Sequence, residues 1–246
     1  MASVFTRPLP FTVVSAQEGT TAKAINANDD RVGKVWRTTD GAGFIICDLG
    51  AGAYDTVALI SNISINIVRV RTGDSASGIG AYDATQTLNI TNKPLGFSTK
   101  TIFTIGTRAE RYVRIDFSSF LNVEVQRIII GPSIAVVGID YDAEFSIIDS
   151  SEIETTLGSD NVEAGLRKCR WKIAMSMVPE ADWKNAWIGF LSAVGKSTPI
   201  LFQPFTEKPA DIQSDVIFGR IRTDAVGKIQ GLLYRTVEMT IEGLAL

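Results

Sequence analysis

Histidine is missing from all 246 residues. Its absence removes the Ser-His-Asp and Cys-His nucleophile systems, the usual zinc sites and the commonest general base near neutral pH. Cysteine occurs only twice, as Cys47 and Cys169, each in an apolar strand-like segment. With no C-x-x-C, neither a redox pair nor a zinc knuckle is indicated, and the two read as buried free thiols. An excess of one charge is missing too: 24 Lys and Arg stand against 27 Asp and Glu, and the basic residues are scattered. The chain therefore carries no electrostatic footprint for nucleic acid. No apolar run approaches the roughly 18 residues of a membrane span. The longest, from Val123 to Ile139, is broken by Glu124, Arg127 and Gly131-Pro132. The N-terminus has no positive segment ahead of an apolar core, so no signal peptide is expected. The chain reads as one made in the cytoplasm that inserts in no membrane.

An apolar fraction of 45% and a charged fraction of 21% belong to a globular protein, and the length allows two domains. The first half holds short β-type segments. They include Val35-Trp36-Arg37-Thr38, Phe44-Ile45-Ile46-Cys47-Asp48, Tyr112-Val113-Arg114-Ile115-Asp116-Phe117 and Arg127-Ile128-Ile129-Ile130. Each ends at turn residues and alternates or masses β-branched side chains, as sandwich strands do. Strands are expected at 35–37, 43–48, 56–61, 65–71, 86–90, 112–117 and 123–130, giving a jelly-roll-like sandwich. Beyond Gly131-Pro132 the pattern changes. Cys169, Trp171, Ile173, Met175 and Met177 alternate with polar residues over a strand at 167–178. Trp183, Trp187, Phe190, Leu191 and Val194 then fall on one stripe of a helix over 179–194, which Gly195 ends. Further strands are expected at 142–148, 200–205, 216–223 and 235–242. The fold class is thus mainly β, in two parts. An arm at 1–19 is followed by a sandwich at 20–135 and a β-domain with one helix at 136–246. Whether the arm packs on the second part, making the sandwich an insertion, is left open.

Candidate chemistry is thin. Gly50-Ala51-Gly52-Ala53-Tyr54-Asp55 imitates a dinucleotide loop but lacks its third glycine and leads into a strand, so it reads as a turn. Gly78-Ile79-Gly80 fails likewise. Near-paired carboxylates occur as Asp140/Asp142, Glu152/Glu154 and Asp211/Asp215. A glycosidase needs two such groups across a cleft, whereas pairs on one strand face read as solvated, and Asp140 with Asp142 is expected on such a face. Asp74 and Asp29-Asp30 are loop acids of the type that holds calcium, without matching a known pattern. Tyr54 and Tyr82, beside glycine-rich turns, are the candidates for stacking on a sugar, while Trp36, Trp183 and Trp187 read as core. Arg108, Arg111 and Arg114 read as ion-pair partners of Glu110 and Asp116. The sequons at Asn62 and Asn89 carry no meaning without secretion.

A resemblance rests on particular segments. Val35-Trp36-Arg37, Cys47-Asp48-Leu49-Gly50, Val57-Ala58-Leu59-Ile60, Arg111-Tyr112-Val113-Arg114-Ile115 and Ile130-Gly131-Pro132 resemble the discoidin-type, galactose-binding-like sandwich carried by many tailed-bacteriophage proteins. Segments 166–178, 179–194, 198–205, 216–223 and 234–243 are similar to a tail-tube-like β-sandwich or barrel with one flanking helix. Together they resemble a distal tail or baseplate protein of a siphophage-like virion. The resemblance implies a virion structural protein, not an enzyme, with no cofactor and no metal. Its implied partners are five further copies in a hexameric ring, the tail tube protein, the tail-tip hub and other baseplate proteins, with DNA only passing through the lumen. The acidic segment bearing Glu152, Glu154, Asp160 and Glu163 is the expected ring interface or lumen lining. The rival reading is a carbohydrate-binding accessory module that contacts host surface glycans through Tyr54 and Tyr82. A third, a glycan-degrading enzyme, requires Asp140 and Asp142 in a cleft.

Overall fold

The computed structural model describes residues 2–17, 23–31, 33–39, 41–61, 67–77, 80–87, 94, 96–118, 122–136, 138–156, 159–208 and 211–244. In chain order the first strands are β1 (Ser3–Thr6), β2 (Thr12–Ala16), β3 (Trp36–Arg37), β4 (Ala42–Asp48) and β5 (Tyr54–Ser61). Next come β6 (Ile67–Gly73), β7 (Tyr82–Thr87), β8 (Thr99–Arg108), β9 (Tyr112–Ser118) and β10 (Glu124–Gly131). The remaining strands are β11 (Ser133–Val136), β12 (Glu144–Asp149), β13 (Glu152–Thr156), β14 (Ser159–Glu163) and β15 (Arg167–Pro179). After the helix follow β16 (Ile200–Gln203), β17 (Ile217–Ile221), β18 (Val226–Ile229) and β19 (Tyr234–Gly243). The protein is mainly β.

Two antiparallel sheets, β3-β10-β5-β8 and β2-β4-β9-β6-β7, form the sandwich. Its logic is visible in β9, where Val113, Ile115 and Phe117 point into the core and Arg114 and Asp116 point out. β6 repeats this with Val68 and Val70 inward and Arg69 and Arg71 outward. Trp36 is wholly buried, and its indole N–H donates to the Gln17 carbonyl at 3.0 Å. Two elements depart from the sequence pattern. The longest sandwich strand, β8, carries four threonines and was not expected as a strand. It is held by β5 on one side, and its polar end is buried against the second part of the chain. β7 begins at Tyr82, ahead of the expected 86–90 segment, of which residues 88–90 lie outside the described ones. The turn-rich segment before β3 winds into a 3₁₀ helix, Ala24–Asn28, with Ala24 and Ala27 buried.

The large sheet runs β11-β1-β16-β17-β19-β15-β12, with β18 added to β19. β1 lies between β11 and β16, antiparallel to both. The chain therefore leaves this sheet after one strand, builds the sandwich and returns as β11. The arm expected at 1–19 divides accordingly: β1 belongs to the large sheet and β2 to the sandwich. The boundary expected at residue 135 falls inside β11. At the crossing, Arg7 N–H donates to the Pro132 carbonyl at 3.0 Å and Leu9 N–H to the Ile130 carbonyl at 2.7 Å.

A helix over residues 180–194 covers the large sheet. It opens with one α-turn, passes through a π-helical stretch (Trp183–Trp187) and ends as α-helix (Ile188–Val194). Trp187, Phe190 and Val194 are buried, with Trp183 and Leu191 half-buried beside them. The Phe5 and Trp187 rings meet edge-on, with centroids 5.2 Å apart. Gly195 takes φ 54° and its N–H caps the Leu191 carbonyl. Met177 corrects the alternation expected in β15. Pairing with β19 slips between Met175 and Val178, so Val178 turns inward and Met177 is left exposed at φ 61°.

The two parts share a third apolar cluster. Ala58, Ile60 and Ile129 of the sandwich meet Leu201, Val216 and Phe218 of the second part. This explains why Val57-Ala58-Leu59-Ile60 and Ile128-Ile129-Ile130 are apolar without alternation: both faces of β5 and β10 are covered.

Candidate functional site

The turns β4–β5, β6–β7 and β8–β9 converge at one end of the sandwich, because Asp48 pairs with Tyr112, Gly73 with Tyr112 and Tyr54 with Arg108. Both tyrosines expected to contact sugar lie here, but they do not form an open shelf. Tyr54 is an inward-pointing residue of β5, only 1% exposed, and its hydroxyl donates to the Glu110 carbonyl at 3.2 Å. Burial raises that hydroxyl far above the usual tyrosine range. The glycine-rich turn preceding it looks like a loop in sequence, yet the strand has already begun at Tyr54. Tyr82 is half-buried, with the Arg108 guanidinium 4.7 Å above its ring. The end is otherwise polar. Arg111 binds Asp48 through two hydrogen bonds of 2.8 Å, and its backbone N–H donates to Asp74 at 3.2 Å. The Arg111 guanidinium holds the Asp48 carboxyl below its usual range.

The outward face of the β2-β4-β9-β6-β7 sheet is an ion-pair lattice. Arg71 reaches Asp116 at 2.6 Å, Arg114 reaches the same carboxylate at 2.9 Å, and Arg69 grips Asp83 from across β6 and β7. Arg108 lies 3.7 Å from Glu110. Arg111, Arg114 and Arg108 thus engage acids of their own chain.

The acidic segment expected as a loop is a two-stranded ribbon, β13-β14, continuing the β12–β15 hairpin. Glu152 stands directly opposite Glu163, and Glu154 opposite Asn161. Ile153 faces Val162 across the ribbon, and both are more than half exposed. Asp160 pairs in register with Thr155, so it does not share the Glu152–Glu163 rung, and its side chain lies outside the described residues. Like charges on one rung oppose ribbon formation, and an isolated two-stranded ribbon is marginal in water.

Next to it lies the outer strand β12. It pairs with β15 on one side, and among the described residues no strand pairs with its other edge. Phe145 and Ile147 on this strand are exposed, Ile147 to 55%. Ile229, Leu232 and Leu233, around the turn from β18 to β19, are also exposed. The doublet Leu232-Leu233 in a glycine-containing turn was the signal for this second patch, and sequence reasoning passed over it.

The paired carboxylates do not converge. Asp140 and Asp142 sit in a turn before β12 rather than on a strand face. Asp140 accepts the N–H of Ser176 at 3.0 Å and its hydroxyl at 2.7 Å. Asp211 is the N-cap residue of the short helix Ile212–Asp215 and Asp215 is its last residue, where burial raises the carboxyl. Asp29 takes Arg31 and Lys34 rather than an open coordination position. Among the described residues no three His, Cys, Asp or Glu side chains are grouped to hold a metal ion. Gly78-Ile79 and both sequons, Asn62-Ile63-Ser64 and Asn89-Ile90-Thr91, lie outside the described residues.

No protein-family model and no curated protein matches the chain. Solved structures similar to part of the chain include a GH29 fucosidase of Ruminococcus gnavus, at 21% identity and TM-score 0.38 over 50% of this chain and 25% of that one. A second is a family 32 carbohydrate-binding module from a family 31 glycoside hydrolase of Clostridium perfringens, at 13% identity and TM-score 0.39 over 50% and 90%. A third is a chitosan-binding module from a Paenibacillus chitosanase/glucanase, at 16% identity and TM-score 0.36 over 50% and 95%. The match spans only a quarter of the fucosidase. None of these three is a tail protein.

Proposed function

We propose that this chain is a structural, non-catalytic subunit that joins edge to edge with copies of itself through its large sheet, carrying the inserted sandwich outward. The observation behind this reading is the edge of β12 that no strand covers among the described residues, with Phe145 and Ile147 exposed on it. Monomeric proteins blunt such edges with mid-strand charge, proline or a covering element. Here the acids Glu144 and Asp149 stand only at the strand ends. The sheet path ends in β12 on one side and β11 on the other, which suits head-to-tail pairing that closes into a ring when the rotation permits. In the reading that the distal-tail resemblance implies, six copies form that ring. The acidic ribbon then sits at the subunit interface or faces the lumen, where like charge keeps passing DNA from sticking. Analytical ultracentrifugation with negative-stain imaging tests this: wild type forms rings at micromolar concentration and Ile147→Lys stays monomeric. A wild type that never associates, or a variant that associates equally well, ends the reading.

The second reading, glycan binding by the sandwich, is favoured by the convergence of three turns that bring Arg108 over the Tyr82 ring, with Arg111 and Asp74 at the same end. Such groups hydrogen-bond sugar hydroxyls, and the ring offers an apolar face once Arg108 swings away. A glycan array read with wild type and Arg108→Ala decides it; no glycan retained above background rejects it.

A further inference from the structure

Between the sandwich and the large sheet lies a partly open cavity of about 60 Å³. One buried water needs about 10–15 Å³, so the space accommodates several waters or a small oxyanion. Among the described residues its wall carries four cations, Arg31, Lys34, Lys100 and Arg127, against two acids, Asp29 and Asp30. Asp29 is already committed to Arg31 at 2.8 Å and Lys34 at 2.9 Å. Asp30 lies 3.2 Å from Arg127 and 3.9 Å from Arg220. Lys100 and Arg127 are deeply buried, at 6% and 7% exposure.

Each buried cation has a defined setting. Lys100 Nζ donates to the Gln213 carbonyl at 2.9 Å and lies 5.3 Å from the Phe97 ring. Asp215, outside the cavity wall, also acts on it, but burial disfavours that acid's charged form. Arg127 Nη1 donates to Asn28 at 2.9 Å, and the guanidinium lies 5.6 Å from the Phe218 ring. Its Nε is buried without a hydrogen-bond partner. A buried guanidinium N–H lacking an acceptor is costly. Burial lowers the pKa of Arg127 while Asp30 and Asp29 act the other way, and Asp30 Oδ1, 3.2 Å from Arg127, is likewise buried without a hydrogen-bond partner.

We propose that this cavity is a binding site for a small oxyanion, a carboxylate or a phosphate group, which accepts a hydrogen bond from Arg127 Nε and lies in the field of Lys100. Phe97 and Phe218 flank the two buried cations, and these low-dielectric surroundings strengthen a charged contact. This site is separate from the β12 edge and from the loop end of the sandwich, and does not depend on either reading above.

Isothermal titration calorimetry of the full chain with inorganic phosphate, acetate and glucuronate, at fixed ionic strength against a chloride blank, tests the site. At least one binds saturably. Affinity falls about tenfold or more in Arg127→Met, as loss of one charged hydrogen bond requires, and is unchanged in Arg69→Met on the outer ion-pair face. Tighter binding of phosphate than of both carboxylates identifies a phosphate source; tighter binding of glucuronate than acetate identifies an acidic sugar. Where Arg127→Met does not fold, Lys100→Met replaces it. Absence of saturable heat for all three anions in wild type overturns the proposal, as does equal affinity in the cavity variant.

Discussion

Arg235 clasps Glu180 at two points, Nε to Oε2 at 2.5 Å and Nη2 to Oε1 at 3.1 Å, tying the first turn of the helix to β19. The same guanidinium donates to the Gly227 carbonyl at 3.1 Å and lies over the Trp183 ring. Lys184, one turn along, adds a contact of 3.1 Å to Glu180. Arg235 first and Lys184 second hold the Glu180 carboxyl down to about 2.

A carboxyl depressed on folding adds stability above its unfolded pKa and loses it as pH falls through the folded one. For Glu180 that window runs from the ordinary 4.5 down to about 2. Wild type is therefore expected to melt above Glu180→Gln at pH 6, and the gap should close near pH 2. Thermal midpoints at the two pH values check this; an unchanged gap removes the ion pair from the account.

Gly131 is expected to tolerate no side chain. A Cβ there would stand 1.8 Å from the Arg7 carbonyl oxygen, a backbone atom that cannot swing aside. Gly131→Ala should cost about 2–3 kcal/mol by pushing the outgoing strand off the returning one. Gly189→Ala, in the helix with nothing within 4 Å, should instead gain about 0.5–1 kcal/mol. Urea denaturation of both variants measures the contrast, and equal effects contradict it.

The cluster joining Ile129 to Phe218 predicts one cooperative transition for the whole chain. Calorimetry of wild type should show a single peak. Ile129→Ala, at a fully buried site, should cost about 2–4 kcal/mol. Two peaks in wild type mean that the parts unfold independently.

Both cysteines should be inert in the folded chain. Burial pushes the Cys169 thiol up to about 11 and Cys47 higher still. Ellman's reagent at pH 8 is expected to find no thiol until urea exposes two. Rapid native labelling of either cysteine would contradict the buried positions.

Much of the local structure was legible because it is written in short-range periodicity. The period-two alternation of 167–178 made β15, the five-residue stripe made the helix, and Gly195 ended it. Those signals need only neighbouring residues. Pairing and burial involve residues far apart in sequence, and there the chain alone was silent. Nothing near Phe5 says that its strand will lie between β11 and β16 with the sandwich inserted behind it. Tyr54 reads as a loop aromatic until Glu110, 56 residues later, accepts its hydroxyl. Met177 belonged to the buried set until the slip against β19 turned it outward. The acids Glu152 and Glu163 appear as a loose loop in sequence, and only antiparallel pairing sets them on one rung. The sequence by itself determined the strongly periodic elements, such as β9, β15 and the helix, and which side chains are apolar enough for a core. The tertiary structure decided which sheet each strand joined, which edge stayed open, and which cations were buried at the junction. Those outcomes depend on which distant segments close upon one another, and local propensity does not encode that.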